Sequence, residues 1–389
     1  MPSGIADYSY ELLPLLAERA DIDVVCPPRH RRRRVSVPRG IRRVGPQGFD
    51  PSDYDAAIYH LGNNPAHTYV YETALRHPGV AVFHDLVMHH LIAYEMVEIG
   101  VDLPRYERVM VEEYGSEKGS RLAELKAGWV ATDLEKFTFP LTGHVARRQR
   151  GLIVHSYDSE WRIAERAPGV PVEVIPHHAW PPPREPDRDG ARARLGLPRD
   201  AFIVGHFGFV TRPKQPAALV GGMAELVRER PDSLMVIVGP DTTGGGLQRI
   251  LDRHGIAHAV RPVGYVDLDR FYDYVAAVDA VVNLRYPSAG ESSGTLSRAL
   301  AAGRAVIVNG YMSFGELPDD VALKVEIDRP QAPQLGAHLR RLASDPAFQA
   351  RLEAAARSYA ATELDPRRCA DLYVAAAARF ARFEPARSG

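Results

Sequence analysis

The chain has 389 residues, 45% of them apolar and 25% charged, with a formal net charge of −1 at pH 7. That length exceeds one ordinary core and fits two α/β domains of similar size, and the balanced charge gives no argument for nucleic acid. Cys26 and Cys369 are too few for a disulfide framework or a cysteine-based metal site, no run approaches the roughly 18 apolar residues of a membrane span and no signal peptide is read, so a reducing cytoplasm is the expected compartment.

Pro2–Ser9 (PSGIADYS) reads as a strand-to-helix turn, with Gly4 in the tight turn and Asp7 or Ser9 near the helix start. A doubly wound domain wants a strand before such a turn, so the natural start is expected upstream of Met1. Strand candidates follow at Asp23–Cys26, Ala56–His60, Val80–Phe83, Gly151–His155 and Val172–Ile175. They are short and mostly apolar, and several run into His or Asp, which is where ligands bind in open α/β sheets.

Residues 29–43 carry eight arginines and no acid. A solvated loop and electrostatic docking on an anionic membrane both remain open for them. Nucleic acid is disfavoured, since no aromatic residue interleaves the arginines. The polar stretch 86–148 is too long for a loop and reads as inserted helices flanking a cleft, with Tyr94, Glu95, Tyr106, Glu107 and Tyr114 as acceptor contacts or ordinary packing residues.

Residues 179–189 (AWPPPREPDRD) read as a linker. Strand signals resume at Phe202–His206, Leu234–Val238, Ala259–Val263, Ala280–Leu284 and Ala305–Asn309. Helical segments lie at Pro216–Arg230, Leu268–Val278 and Thr295–Ala302, and an Ala-rich helical stretch covers 347–382. The organisation expected is an N-terminal domain at 1–178, a linker at 179–189, a C-terminal domain at 190–360, and a terminal helix at 361–389 packing back toward the first domain. The fold class is α/β, with two doubly wound Rossmann-like domains facing a central cleft.

Two segments carry chemistry. In Gly205–Lys214 (GHFGFVTRPK) an apolar strand runs into Gly208, where a backbone can approach a ligand, and Arg212 and Lys214 then offer cations to anionic oxygens before a helix. In Asn283–Gly303 a strand ends in a Gly/Ser turn, so that the amides of Ser292, Ser293, Gly294 and Thr295 open a helix and form a second anion cradle. A solvated lysine loop and a simply capped helix are the ligand-free alternatives. Two cradles after strands of one domain suit a diphosphate.

With these segments in place, the whole chain resembles the retaining GT-B glycosyltransferases of the large family 4 type, known as glycosyl transferases group 1. The landmarks come in order: PSGIADYS, HLGNNP at 60–65, FHD at 83–85, VHS at 154–156, IPHH at 175–178, FGFVTRPK at 207–214, VGYV at 263–266, and AGESSGTLSRALAAGRAVIV at 289–308. The resemblance implies a donor nucleotide held by the second domain and an acceptor held by the first. Lys214 matches the family's phosphate-binding lysine; the arginine usual five residues earlier is Phe209 here, which leaves Arg212 to supply the charge. Tyr265 and Val266 match the loop touching the base through its backbone, Gly4 the N-terminal turn, and His84 and Asp85 the pair near the donor sugar.

The family's E-x7-E signature is broken. Alignment on Leu300–Gly303 puts Gly290 at the first glutamate and Arg298 at the second; Glu291, one position away, is expected to take over near the sugar hydroxyls. His84, Lys214 and Glu291 are therefore the catalytic candidates. Asn63, Asn64 and His155 are the acceptor-side ones, with turn or packing roles left open. The paired histidines lack the spacing of a helical zinc site, so no metal is expected. The implied reaction moves a hexose-type sugar from a UDP- or GDP-sugar to a hydroxyl of a glycan, lipid carrier or small molecule, without a cofactor. A sugar-nucleotide epimerase and a non-catalytic nucleotide-sugar-binding subunit remain the alternatives.

Overall fold

The computed structural model describes residues 4–26, 37–127 and 133–383. They form two units. One comprises Met1–Pro176, Ala289–Ser292 and Pro366–Gly389; the other comprises His177–Ser288 and Ser293–Asp365.

In the first unit β1 (Asp23–Val25) and β2 (Arg42–Val44) make a small parallel ladder. A four-stranded sheet runs β3 (Ile58–Leu61), β4 (Val80–Phe83), β5 (Gly151–Val154) and β6 (Val172–Val174), all parallel and in chain order. The central runs VAVF and GLIV are buried at every residue, as both-face coverage of a parallel sheet demands. Part of that cover is the helix Pro366–Phe380. Its Phe380 ring lies against Gly151, where a Cβ would come within 2.1 Å of the ring. The described residues between β4 and β5 are mostly helical, and Met88, Leu91, Ile92, Met96 and Tyr106 among them join Leu61 and Phe83 in one core.

The second unit holds six parallel strands: β7 (Ile203–Phe207), β8 (Leu234–Val238), β9 (Val260–Gly264), β10 (Ala280–Asn283), β11 (Ala305–Asn309) and β12 (Ala322–Val325). Their order across the sheet is β9-β8-β7-β10-β11-β12, so the winding direction reverses between β7 and β10. Both units are thus Rossmann-like α/β layers, and the second has the full doubly wound order.

Several expectations change. Gly4, the first described residue, lies in the helix Gly4–Ala17, and a Cβ there would meet nothing within 4 Å; the part of the expected turn before it lies outside the described residues. The stretch 347–382 is two helices, Pro346–Thr362 and Pro366–Phe380, which belong to different units. Pro366 has no amide to continue the first and has the φ that suits starting the second. β2 begins inside the arginine-rich segment; Arg42 and Arg43 are exposed, and Arg42 Nε donates to Asp23 Oδ1 at 2.8 Å, so this arginine is paired within the fold. Residues 29–36 of that segment lie outside the described residues. The stretch 179–189 belongs to the second unit, where the Ala179 N–H donates to Leu364 O (2.8 Å) and Asp187 caps the helix Arg188–Leu195.

Candidate functional site

In an open parallel sheet the ligand crevice forms beyond the carboxyl ends of the two strands at the order reversal. In the second unit these are β7 and β10. Past β7, Gly208 has φ +88°, and a Cβ on it would stand 2.7 Å from Lys214 Nζ. Gly239, past β8, has φ +142° and lies so close that its Cβ would be 2.4 Å from Gly208 O. Both positions need glycine, one for the lysine and one for the neighbouring backbone. Lys214 ends the single turn Arg212–Lys214, and its Nζ donates to Phe207 O at 3.2 Å. Arg212, in the same turn, is exposed.

The loop after β10 is tied to this turn. The Tyr286 N–H donates to Pro213 O (2.7 Å), and Gln215 Nε2 donates to Tyr286 O. This tie brings in Arg285, a cation that sequence reasoning missed; the signal was its place as the second residue past a strand at the reversal. Beneath lies His206, 2% exposed. Burial first, then Lys214 and Arg285, push its imidazole down to about 3, so it is neutral near pH 7.

The Gly/Ser turn divides between the units after Ser292. Ser293 caps the helix Gly294–Ala301: its Oγ accepts from the Leu296 N–H (3.3 Å), donates to Asn283 Oδ1 (3.2 Å) and lies 3.0 Å from Thr295 Oγ1. The Ser293 hydroxyl is thus engaged by its own helix. At Gly294 a Cβ would stand 3.5 Å from both Arg298 Nη1 and His177 Nε2, so a cation and an imidazole flank the helix start. Thr295 and Arg298 are half-buried. Gly264 (φ +77°) closes β9, two strands away from β7; Tyr265 after it is 76% exposed, and Val266 packs on the core.

In the first unit, Asp85 Oδ2 accepts from the Asn63 N–H (2.9 Å), while Asn63 Oδ1 accepts from the Leu91 N–H (3.0 Å) and Asn63 Nδ2 meets His90 Nδ1 at 2.7 Å. Asn63 therefore fixes the loop after β3 to that after β4. Asn64 is exposed and accepts from the Ala66 N–H at 2.9 Å, a turn-capping role. His84 is 6% exposed, with one ring nitrogen 3.0 Å from His60 Nδ1 and the other 3.2 Å from His155 Nε2. Burial lowers His155 to about 4.

Glu291 and Ser292 belong to this same unit. The Leu86 and Val87 amides, directly after Asp85, both donate to Ala289 O, at 2.7 and 3.2 Å. Gly290 has φ +76°, and a Cβ there would lie 2.8–2.9 Å from Leu86 side-chain atoms. The position aligned with the first glutamate thus has room for glycine alone. Glu291 turns back, its Oε2 accepting from the Ala289 N–H at 2.6 Å. Among the described residues no group of three or more His, Cys, Asp or Glu side chains is placed to hold a metal ion, and no helix is long and apolar enough to cross a membrane.

The chain thus holds two Rossmann-like units, one with its crevice at a strand reversal, and solved structures of GT-B glycosyltransferases share this architecture. The chain matches sucrose-phosphate synthase from Thermosynechococcus elongatus over 96% of its own length and 92% of that chain, with TM-score 0.67 and 19% identity. It matches Anabaena HepE, solved with UDP-glucose, over 82% and 77%, with TM-score 0.59 and 15% identity. At these identities the likeness is one of fold, and the fold is GT-B. In sequence the chain is similar to the D-inositol 3-phosphate glycosyltransferase of Streptomyces avermitilis, 34% identical over 225 residues, which are 54% of this chain and 45% of that protein. The match spans less than half of that relative's length. The group 1 glycosyltransferases are thus the family that the chain resembles in both sequence and fold. No protein-family model matches the chain.

Proposed function

We propose that this protein is a glycosyltransferase moving a sugar from a nucleotide-diphosphate sugar to an acceptor hydroxyl with retention of anomeric configuration. The observation that carries the reading is the β7/β10 crevice, where Lys214, Arg285 and the helix start at Gly294 with Arg298 lie beyond strand ends of one doubly wound sheet. Cations and a helix N-terminus suit a diphosphate, and suit it most as charge grows on the departing group. We assign the diphosphate to Lys214 with Gly208, Arg212, Ser293, Gly294, Thr295 and Arg298, and the base to the Tyr265–Val266 backbone. The sugar falls to Asp85, Glu291 and Ser292, with His84 nearby. The UDP-glucose bound to HepE supports a UDP-sugar over a GDP-sugar. The name of the Streptomyces relative favours a small polyol over a glycan or lipid carrier.

In the transfer the bond from the anomeric carbon to the diphosphate breaks and the bond to the acceptor oxygen forms. The departing phosphate oxygen takes the acceptor's proton. Lys214 and its neighbours hold the charge left on the diphosphate, a contribution worth about 10²–10³ in turnover for one such donor. A thermal-shift panel of nucleotide sugars identifies the donor, since a ligand bound only to the folded state raises its apparent stability. With that donor, Lys214→Ala is expected to lose about 10²-fold or more in kcat. Near-native transfer by this variant sinks the assignment.

A non-catalytic nucleotide-sugar-binding subunit is the second reading. It is favoured by the engagement of both His84 ring nitrogens with other histidines and of the Glu291 carboxylate with a backbone amide. Donor binding by calorimetry, without release or transfer of sugar to any acceptor offered, would decide for it.

A further inference from the structure

β3, β4 and β5 are adjacent and parallel, with His60 paired to Val82 and Val82 paired to Ile153. Two residues past Val82 and Ile153 come His84 and His155. Side chains alternate along a strand, so the three imidazoles fall on one face of the sheet. There His60 Nδ1 is 3.0 Å from His84 Nε2, His84 Nδ1 is 3.2 Å from His155 Nε2, and His155 Nδ1 is 2.8 Å from the Ile175 carbonyl.

The carbonyl settles where the protons are. It can only accept, so His155 carries its proton on Nδ1 and donates it there. In the neutral ring, His155 Nε2 is then a lone pair, and it must receive the Nδ1–H of His84. The same step repeats once: His84 Nε2 receives the Nδ1–H of His60. All three rings are Nδ1–H tautomers donating in one direction, although imidazole in water prefers the Nε2–H form. Tyr8 from the first helix, with its ring 4.8 Å from His84, and Tyr373 from the last, 6.1 Å from His60, wall the chain, their hydroxyls 2.9 Å apart. Cys369 donates to Pro176 O nearby, and the His67 ring bonds the His60 backbone.

We propose that His60 and His155 are positioning residues that hold His84 in a single neutral Nδ1–H tautomer. The inference rests on the assignment of His84 to the sugar site. It gives that residue an oriented ring whose lone pair is already taken, in keeping with a transfer in which the departing phosphate, not His84, receives the acceptor's proton.

The test is proton–nitrogen NMR on the intact protein labelled at histidine with nitrogen-15, the three rings being identified by loss of signal in single variants. Near pH 7.5 all three are expected as Nδ1–H; an Nε2–H signal from His84 or His155 overturns the proposal. In His155→Gln the amide can turn either its oxygen or its nitrogen toward His84. The expected results are both His84 tautomers in the spectrum and kcat for sugar transfer about tenfold lower with the donor KM unchanged, the mark of lost orientation. An unaltered His84 tautomer or an unaltered kcat overturns the positioning role. If the native protein transfers no sugar, the function fails while the spectra still decide the chain.

Discussion

Acidification probes both units through one desolvated histidine each. His155 in the first unit and His206 in the second are held neutral by burial, with folded pKa values lowered to about 4 and about 3 from 6.5. Each group is depressed on folding, so the unfolded chain binds the extra proton. Its stabilising contribution is fully present above pH 6.5 and declines as pH falls toward the folded pKa. Between pH 7.5 and pH 5 only the unfolded rings protonate. At 1.36 kcal/mol per pH unit over the 1.5 units below 6.5, each histidine removes about 2 kcal/mol of stability. Urea titrations of the native protein, His155→Gln and His206→Gln at both pH values measure this. The carboxylates contribute alike to all three and cancel in the differences. Each variant is expected to lose about 2 kcal/mol of the native pH dependence, and the double variant about 4 kcal/mol, since the sites are independent. Variants with the native pH dependence would refute the claim that desolvation holds these rings neutral.

Two glycines make opposite predictions. Gly290→Ala places a Cβ against Leu86 at φ +76°, so overpacking and backbone strain should together cost about 2–4 kcal/mol in chemical denaturation; native stability would show that the 289–292 turn is not seated as described. Gly294→Ala meets only ordinary contacts at 3.5 Å and needs no positive φ. Its stability should stay within about 1 kcal/mol of native, as alanine suits a helix better than glycine. Yet its methyl fills the space between Arg298 and His177, so donor affinity by calorimetry should fall roughly tenfold or more, the loss of one charge-assisted hydrogen bond. Unchanged affinity would remove Gly294 from the phosphate site.

The central strands were legible because they are buried on both faces and read as unbroken apolar runs, as in VAVF, GLIV and AVIVN. β2 and β12 were not. RRV is charged and exposed, and Lys324 interrupts ALKV; neither carries a periodic signal, and both are held by pairing to a neighbour. The break at Pro366 was available in the sequence, since proline cannot continue a helix, but the alanine-rich run around it masked the boundary. Lys214 and the Gly/Ser turn were readable as glycine, cation and helix start in local succession. The imidazole chain was not: it joins residues 24 and 71 positions apart, and only the register of three strands shows that they share a face.

The broken carboxylate signature looked in sequence like damage to a site. Its geometry has a local cause. The turn must pass Leu86, whose amide and that of Val87 both bond Ala289 O, and the backbone meets this by taking a positive φ at residue 290 with no side chain. A glutamate at that position would bring its Cβ into the Leu86 side chain, so a carboxylate can enter the turn only at a neighbouring residue. Glu291 is that neighbour, and its bond to the Ala289 amide holds the carboxylate over the turn that carries it. A carboxylate so fixed can still accept from a sugar hydroxyl through its other oxygen, because each carboxylate offers about four lone-pair sites. The comparison that separates a displaced functional group from a turn-stabilising one is Glu291→Gln. The amide oxygen keeps the bond to Ala289, so a purely structural residue leaves turnover near native, whereas a carboxylate that binds the sugar loses about tenfold or more in kcat/KM with the fold intact.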